Sequence, residues 1–490
     1  MGGAACSSGA NGGRAPTASA PRTRPAVQRP PGPSAAISGP MTGGNGTFLA
    51  EARPESGLGA AGFTEAEYTA SGTATSYRSK GKLPTDGRFD LEADSTAPYS
   101  TRIVVRRPKR ASRFNGTVVV EWLNVSAGFD APAEYVYLRD EILRRGYAWV
   151  GVSAQLIGVE GGPTAVSVPG GAESGAGKGL RRLDPARYGK LRHPGDAFSY
   201  DIFTQVARAL RQPGGVDALG GLTAERLLAV GESQSAFLLT TYVDGVQPLT
   251  RAFDGFLLHS RGGAPAPLGR PGGSVDIASS LSGAPTRIRT DLGVPVITVE
   301  TETDVLGILG FLPARQPDGN RFRLWEVAGT AHADKYQLGD REATLGCPLP
   351  VNRGQQHAVL KAALRHLATW ASGGAAPPKA PRLETREAGA APTFVLDDVG
   401  NVRGGVRTPA VDAPVDILSG LAPPGSSVIC LLLGSTRPIP DAVLARRYRS
   451  ADAYLGQYRA ALDRTIAAGF VLPDDRGALL REAAPSRVAG

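Results

Sequence analysis

The residues best suited to chemistry stand at Gly231-Glu232-Ser233-Gln234-Ser235, where a strand-length apolar run, Arg226–Val230, meets a serine and passes at once into the helix-like segment Gln234–Val243. A serine on so sharp a strand-to-helix turn is strained and presented for attack on a carbonyl, and the turn admits only small neighbours, here Gly231, Ser235 and Ala236. Ser235 stands where a second glycine is usual. Two other Gly-x-Ser triplets lack the context: Gly32-Pro33-Ser34 lies in a Pro-rich tail, and Gly151-Val152-Ser153 precedes the bulky Gln155.

A serine nucleophile needs a base for its proton, an acid to orient that base, and N–H donors for the oxyanion. Five histidines are available. His357 and His366 fall on a helix-like segment and suit solvated or packing roles. His193, in a loop, and His259, ending a strand, suit a pocket lining, as does Trp122. His332 follows a strand through Gly329-Thr-Ala-His332 and completes the chain order serine, acid, histidine. Asp304 and Glu302 both leave the end of the preceding strand; the spacing favours Asp304, with Glu302 as the alternative. The backbone N–H of Gln234 is one expected oxyanion donor. The other should come from Asn124 or Val125, where Trp122-Leu-Asn-Val125 replaces the usual His-Gly signature.

Alternating apolar runs and helical periods must carry these residues. The β-branched stretches 68–77 and 101–106 predict antiparallel strands. Runs at 116–122, 147–152, 226–230, 253–258, 294–299 and 321–327 predict buried strands, with helices at 133–145, 201–210 and 355–370 between or after them. This is the pattern of a mostly parallel sheet with helices on both faces. Two Gly/Pro-rich excursions, 156–195 and 261–290, are too long for simple connections and predict lid-like insertions. Residues 1–46 have almost no large apolar side chains and predict a disordered tail; 47–373 form the core unit; 374–490 form an extension packed on it, entered through the Pro/Ala linker 374–382, with strand-like runs at 393–396 and 428–433.

Composition excludes several classes. The net charge of +9 includes four arginines in residues 1–50, which hold no acid, so the folded part is only mildly basic and no nucleic-acid partner is expected. Near 172–179 a phosphate-loop pattern fails at Ala172 and Gly179, so nucleotide binding is not expected either. Cys6, Cys347 and Cys430 show no Cys-x-x-Cys spacing, and no metal site is expected; Cys347 and Cys430 could be bonded or be two unrelated thiols. As numbered, the chain lacks the apolar core of a signal peptide and reads as cytoplasmic. Gly2-Gly-Ala-Ala-Cys6 nevertheless resembles the end of a bacterial lipoprotein signal, which would make Cys6 a lipid-attachment site of the cell envelope if translation starts upstream.

The elbow and His332 resemble those of the α/β-hydrolase fold. More narrowly they resemble a bacterial group of α/β-hydrolase-domain proteins with a Gly-Glu-Ser-Gln-Ser elbow, to which Glu121-Trp-Leu-Asn-Val125, His193-Pro-Gly-Asp196, Phe198-Ser-Tyr-Asp-Ile-Phe203 and Ala331-His-Ala-Asp334 are also similar. The resemblance runs from about residue 60 to the C-terminus. It implies a serine hydrolase of a small-molecule carboxylic ester, working through an acyl-enzyme without metal or cofactor. The alternatives are an acyltransferase using the same three residues and a non-catalytic binding protein on the same fold.

Overall fold

The computed structural model describes residues 1–3, 29–51, 57–389 and 391–488. Nine strands form one sheet: β1 (Ala36–Ser38), β2 (Phe63–Ser79), β3 (Leu91–Pro108), β4 (Thr117–Trp122), β5 (Ala148–Val152), β6 (Arg226–Glu232), β7 (Gly255–His259), β8 (Val296–Thr301) and β9 (Phe322–Val327). Their order is β1-β2-β3-β5-β4-β6-β7-β8-β9. The first four are joined antiparallel, and every pair from β5/β4 to β8/β9 is parallel.

The parallel strands are runs of Val, Leu and Ile because each is covered on both faces. Along β4 and β6, Val118, Val120, Leu227 and Ala229 face a core shared with the helices Ser199–Arg211 and Gln234–Thr241. Val119, Leu228 and Val230 face the opposite core, filled by Leu138 and Ile142 of helix Ala133–Arg145 and by Val359, Leu360 and Leu364 of helix Gln356–Ala371. The C-terminal ends of β6, β7, β8 and β9 therefore open on one edge, the position where open parallel sheets bind ligands.

The two insertions contain only short helices and are tied to each other. Asp196 accepts the Leu156 N–H at 2.6 Å and, through its other oxygen, the Val275 N–H at 2.8 Å. The stretch 161–177 also lies against the loop after β4: Val166 N–H donates to Ser126 O, and Gly177 N–H to Gly128 O.

Two expectations are revised, and one question left open by the sequence is answered. Within the stretch expected to be disordered, Ala36–Ser38 adds an edge strand to β2, and Arg29 forms an ion pair with Asp254. Its alternation is too short to register as a strand until β2 supplies the ladder. Cys6 and the rest of residues 4–28 lie outside the described residues. Val428–Leu433, read as strand-like, is helical; a six-residue apolar run carries no period that separates the two. Cys347 and Cys430 are bonded, with sulfur atoms 2.02 Å apart.

The segment after the linker is woven into the core. Leu383, Phe394, Val402, Val411 and Leu418 are buried with the main hydrophobic cluster. Val406 N–H donates to Glu326 O of β9 and Ala328 N–H to Val406 O; past β9, Ala333 N–H donates to Leu432 O.

Candidate active site

Ser233 follows the last residue of β6 with φ 59° and ψ −124°, a conformation that L-residues with a side chain rarely adopt. Close packing enforces the turn. A Cβ on Gly231 would lie 2.8 Å from Ser235 Cβ and 3.0 Å from Leu239 Cδ1, so glycine is required there while serine is accommodated at 235. The Ser233 N–H donates to His259 O of the neighbouring strand at 2.9 Å. Its hydroxyl thus stands at the open edge, where Ser233 Oγ donates to His332 Nε2 at 2.8 Å.

His332 lies in the loop after β9, with its backbone N–H donating to Thr303 Oγ1 at 3.2 Å. Its Nδ1–H donates to Asp304 Oδ1 at 2.7 Å. Asp304 sits in the first turn of the helix Glu302–Leu306, where Thr301 is the N-cap; Asp304 Oδ2 accepts from Thr301 N–H and from Thr301 Oγ1, each at 2.7 Å. Burial pushes the Asp304 carboxyl up, but the hydrogen bonds from His332, Thr301 and Ser260 outweigh it and hold the group below its ordinary value. Glu302, the alternative acid, does not reach His332. Its oxygens accept the Gly329 N–H at 2.6 Å and the Gly420 N–H at 2.8 Å, joining the loop that carries His332 to the C-terminal segment. Burial pushes Glu302 up to about 7 in spite of those two donors.

The other expected site residues take different places. Gln234 opens its helix, so its N–H has no intrahelical partner. Neither loop donor is free. Asn124 N–H donates to Ala131 O, and Val125 N–H donates to the Gln234 side-chain oxygen at 3.0 Å. The residues expected to line a pocket are all buried against internal partners. Trp122 donates to Gln155 Oε1 and packs on Tyr200 and Phe203; His193 Nε2 meets Ala154 O at 2.9 Å; His259 Nδ1 donates to Glu134 Oε2 at 2.8 Å. A loop position for His193 and a strand-end position for His259 do not decide exposure, and the internal hydrogen bonds that bury all three side chains form only in the fold.

A family comparison agrees with this architecture. A family described as alpha/beta hydrolase domain matches residues 37–481. The chain belongs to that family. Among solved structures it is similar to a serine hydrolase without a lid from Xanthomonas campestris, at 10% identity and a TM-score of 0.29 over 60% of this chain and 94% of that one. It is also similar to an esterase of Rhizomucor miehei, at 13% identity and a TM-score of 0.31 over 64% and 87%. No curated protein matches the chain.

Beneath the elbow of this α/β-hydrolase-domain protein lies a buried charged group that the sequence does not announce. Glu134, Glu232 and His259 bring ligand-type atoms within 4.8 Å of one another. Burial works against an imidazolium at His259, yet Glu134, and then Glu232, hold its pKa up at about 9. Burial likewise lifts Glu232 to about 7, opposed by His259 and His332. The donor set would suit a divalent cation in composition, but its imidazole nitrogen is spent: with Nδ1–H turned to Glu134, a proton already balances the carboxylates. Glu232 also accepts from Gln337 Nε2 at 2.6 Å, and its carbonyl accepts from Asn124 Nδ2 at 3.0 Å, so the residue before the nucleophile is fixed at both ends.

Proposed function

We propose that this protein is a serine hydrolase that cleaves a carboxylic ester through an acyl-enzyme. The observation that carries the reading is the unbroken chain Ser233 Oγ, His332 Nε2, His332 Nδ1 and Asp304 Oδ1, with contacts of 2.8 and 2.7 Å. In it Asp304 fixes the tautomer with the proton on Nδ1, which leaves the Nε2 lone pair facing the serine hydroxyl.

His332 takes the hydroxyl proton as Ser233 Oγ attacks the ester carbonyl, and Asp304 stabilises the imidazolium that forms. The tetrahedral oxyanion meets the Gln234 N–H at the helix start, where the helix dipole also favours negative charge. Val125 N–H becomes the second donor once the Gln234 side chain turns away from it. His332 then protonates the departing alcohol, and the cycle repeats with water to release the acid.

Two measurements on the full chain test this: labelling of Ser233 by a fluorophosphonate, and turnover of p-nitrophenyl esters of graded acyl length. Labelling lost in Ser233→Ala, with an unchanged melting temperature, is the expected result. A Ser233→Ala variant that is labelled or turns over like the parent overturns the reading.

A further inference from the structure

Past the elbow, the sheet repeats its own construction one strand over. Ser233 leaves β6 with φ 59° and donates its N–H to His259 O at 2.9 Å; Ser260 leaves β7 with φ 56° and donates its N–H to Val299 O at 2.8 Å. Among the described residues, only Ser233, Ser260 and Arg251 combine a side chain with positive φ. Such strain persists only where the surroundings impose it, and it gathers at functional sites. At Ser260 the result is specific: the turned backbone aims the fully buried hydroxyl at Asp304 Oδ2, 2.7 Å away.

We infer that Ser260 is a positioning residue of the catalytic machinery, a second strained serine whose hydroxyl anchors Asp304 in the orientation that serves His332. This deepens the serine-hydrolase reading and rests on it. The physical argument is a division of the two carboxylate oxygens. Oδ1 serves His332 alone, whereas Oδ2 is gripped by Thr301 N–H, Thr301 Oγ and Ser260 Oγ. The two Thr301 donors come from the cap of Asp304's own helix and move with it. Ser260 is the donor that comes from another strand, the one whose His259 carbonyl also holds the Ser233 N–H. Through the dipeptide His259-Ser260, β7 sets the separation between nucleophile and acid.

The test uses full-length Ser260→Gly and Ser260→Ala. Ser260→Ala removes only the hydroxyl but must still hold φ 56°, whereas Ser260→Gly removes the whole side chain and adopts that angle without strain, so Ser260→Gly carries the test even if Ser260→Ala folds poorly. The readouts are the second-order rate of Ser233 labelling by a fluorophosphonate, kcat and KM on p-nitrophenyl butyrate, and the melting temperature. Loss of a hydrogen bond to a buried charge predicts labelling and kcat lower by about tenfold to a hundredfold, with KM unchanged. The melting temperature of Ser260→Gly should equal or exceed that of Ser260→Ala. The low-field proton resonance of the His332–Asp304 hydrogen bond should shift in both. Ser260→Gly labelled within twofold of the parent overturns the inference and leaves the serine-hydrolase reading standing. A collapse in the melting temperature of Ser260→Gly matching its lost activity also overturns it, since Ser260 would then be a packing residue. A parent protein that does not label at all overturns both.

Discussion

Asp304→Asn puts the proposed acid to its sharpest test, because the surroundings decide which way the new amide must face. With its oxygen on the Oδ2 side, asparagine keeps the three hydrogen bonds from Thr301 N–H, Thr301 Oγ and Ser260 Oγ; with its oxygen on the Oδ1 side it keeps only the one from His332. At about 1 kcal/mol per net hydrogen bond, the first orientation wins by about 2 kcal/mol. It turns the amide –NH2 toward His332 Nδ1, which must then accept a hydrogen bond rather than donate one. The imidazole proton moves to Nε2 and points at Ser233 Oγ, where the base should be. The fold should survive, and kcat should fall on the order of 10⁴, equivalent to about 5.5 kcal/mol of barrier. The assay is steady-state hydrolysis of one good p-nitrophenyl ester by Asp304→Asn and Glu302→Gln side by side, with labelling rates as a check. The reasoning is refuted if Asp304→Asn keeps more than about a tenth of the parent kcat, or if Glu302→Gln loses more than it does.

Glu302→Gln should instead appear in stability: an amide can accept from only one of Gly329 N–H and Gly420 N–H, so thermal melting should show a loss of about 1–3 kcal/mol with kcat nearly kept. Because the folded-state pKa of Glu302 is raised to about 7, its contribution to stability is present below the ordinary carboxylate range and lost as pH rises through about 7; the parent's pH-dependent melting should show a decline of about 3 kcal/mol there that Glu302→Gln lacks. His259→Asn removes the cation between two buried carboxylates and should cost about 3–5 kcal/mol in urea unfolding at neutral pH. With its pKa raised to about 9, His259 stabilises most below the usual imidazole range, and that part fades as pH rises through about 9. Cys430→Ser opens a closed loop with a sequence separation of 83, for which chain entropy gives a loss of about 4–5 kcal/mol, measurable by the same unfolding experiment.

The parallel part of the sheet was legible because its strands are short apolar runs buried on both faces, and the elbow because steric crowding leaves few residue types free to vary. Gly231 shows the rule, since any larger residue meets Ser235. Asp304 could be separated from Glu302 by spacing, as both carboxylates leave β8 but only one lies a helical turn above Thr301 and points back at the strand ends. Ser260 was not legible: nothing in Leu258-His259-Ser260-Arg261 signals positive φ, which is imposed by packing rather than by residue type. The state of the loop donors was hidden for a related reason: the N–H groups of Asn124 and Val125 are engaged by Ala131 O and Gln234 Oε1, contacts that only the folded loop creates. Val428–Leu433 shows the limit of short apolar runs, whose helical state is set by their packing environment.

The bond between Cys347 and Cys430 also changes how the chain transmits force and survives cutting. It turns residues 347–430 into a covalent ring that contains the whole Pro/Ala linker. A single cut in that linker would leave both pieces attached, and they would separate only after reduction. A pull applied at the C-terminal helices would pass through the sulfur atoms to Cys347, bypassing the linker and loading the segment that follows His332. The linker therefore cannot act as a hinge: mechanically, the C-terminal part is a strap buckled beside His332.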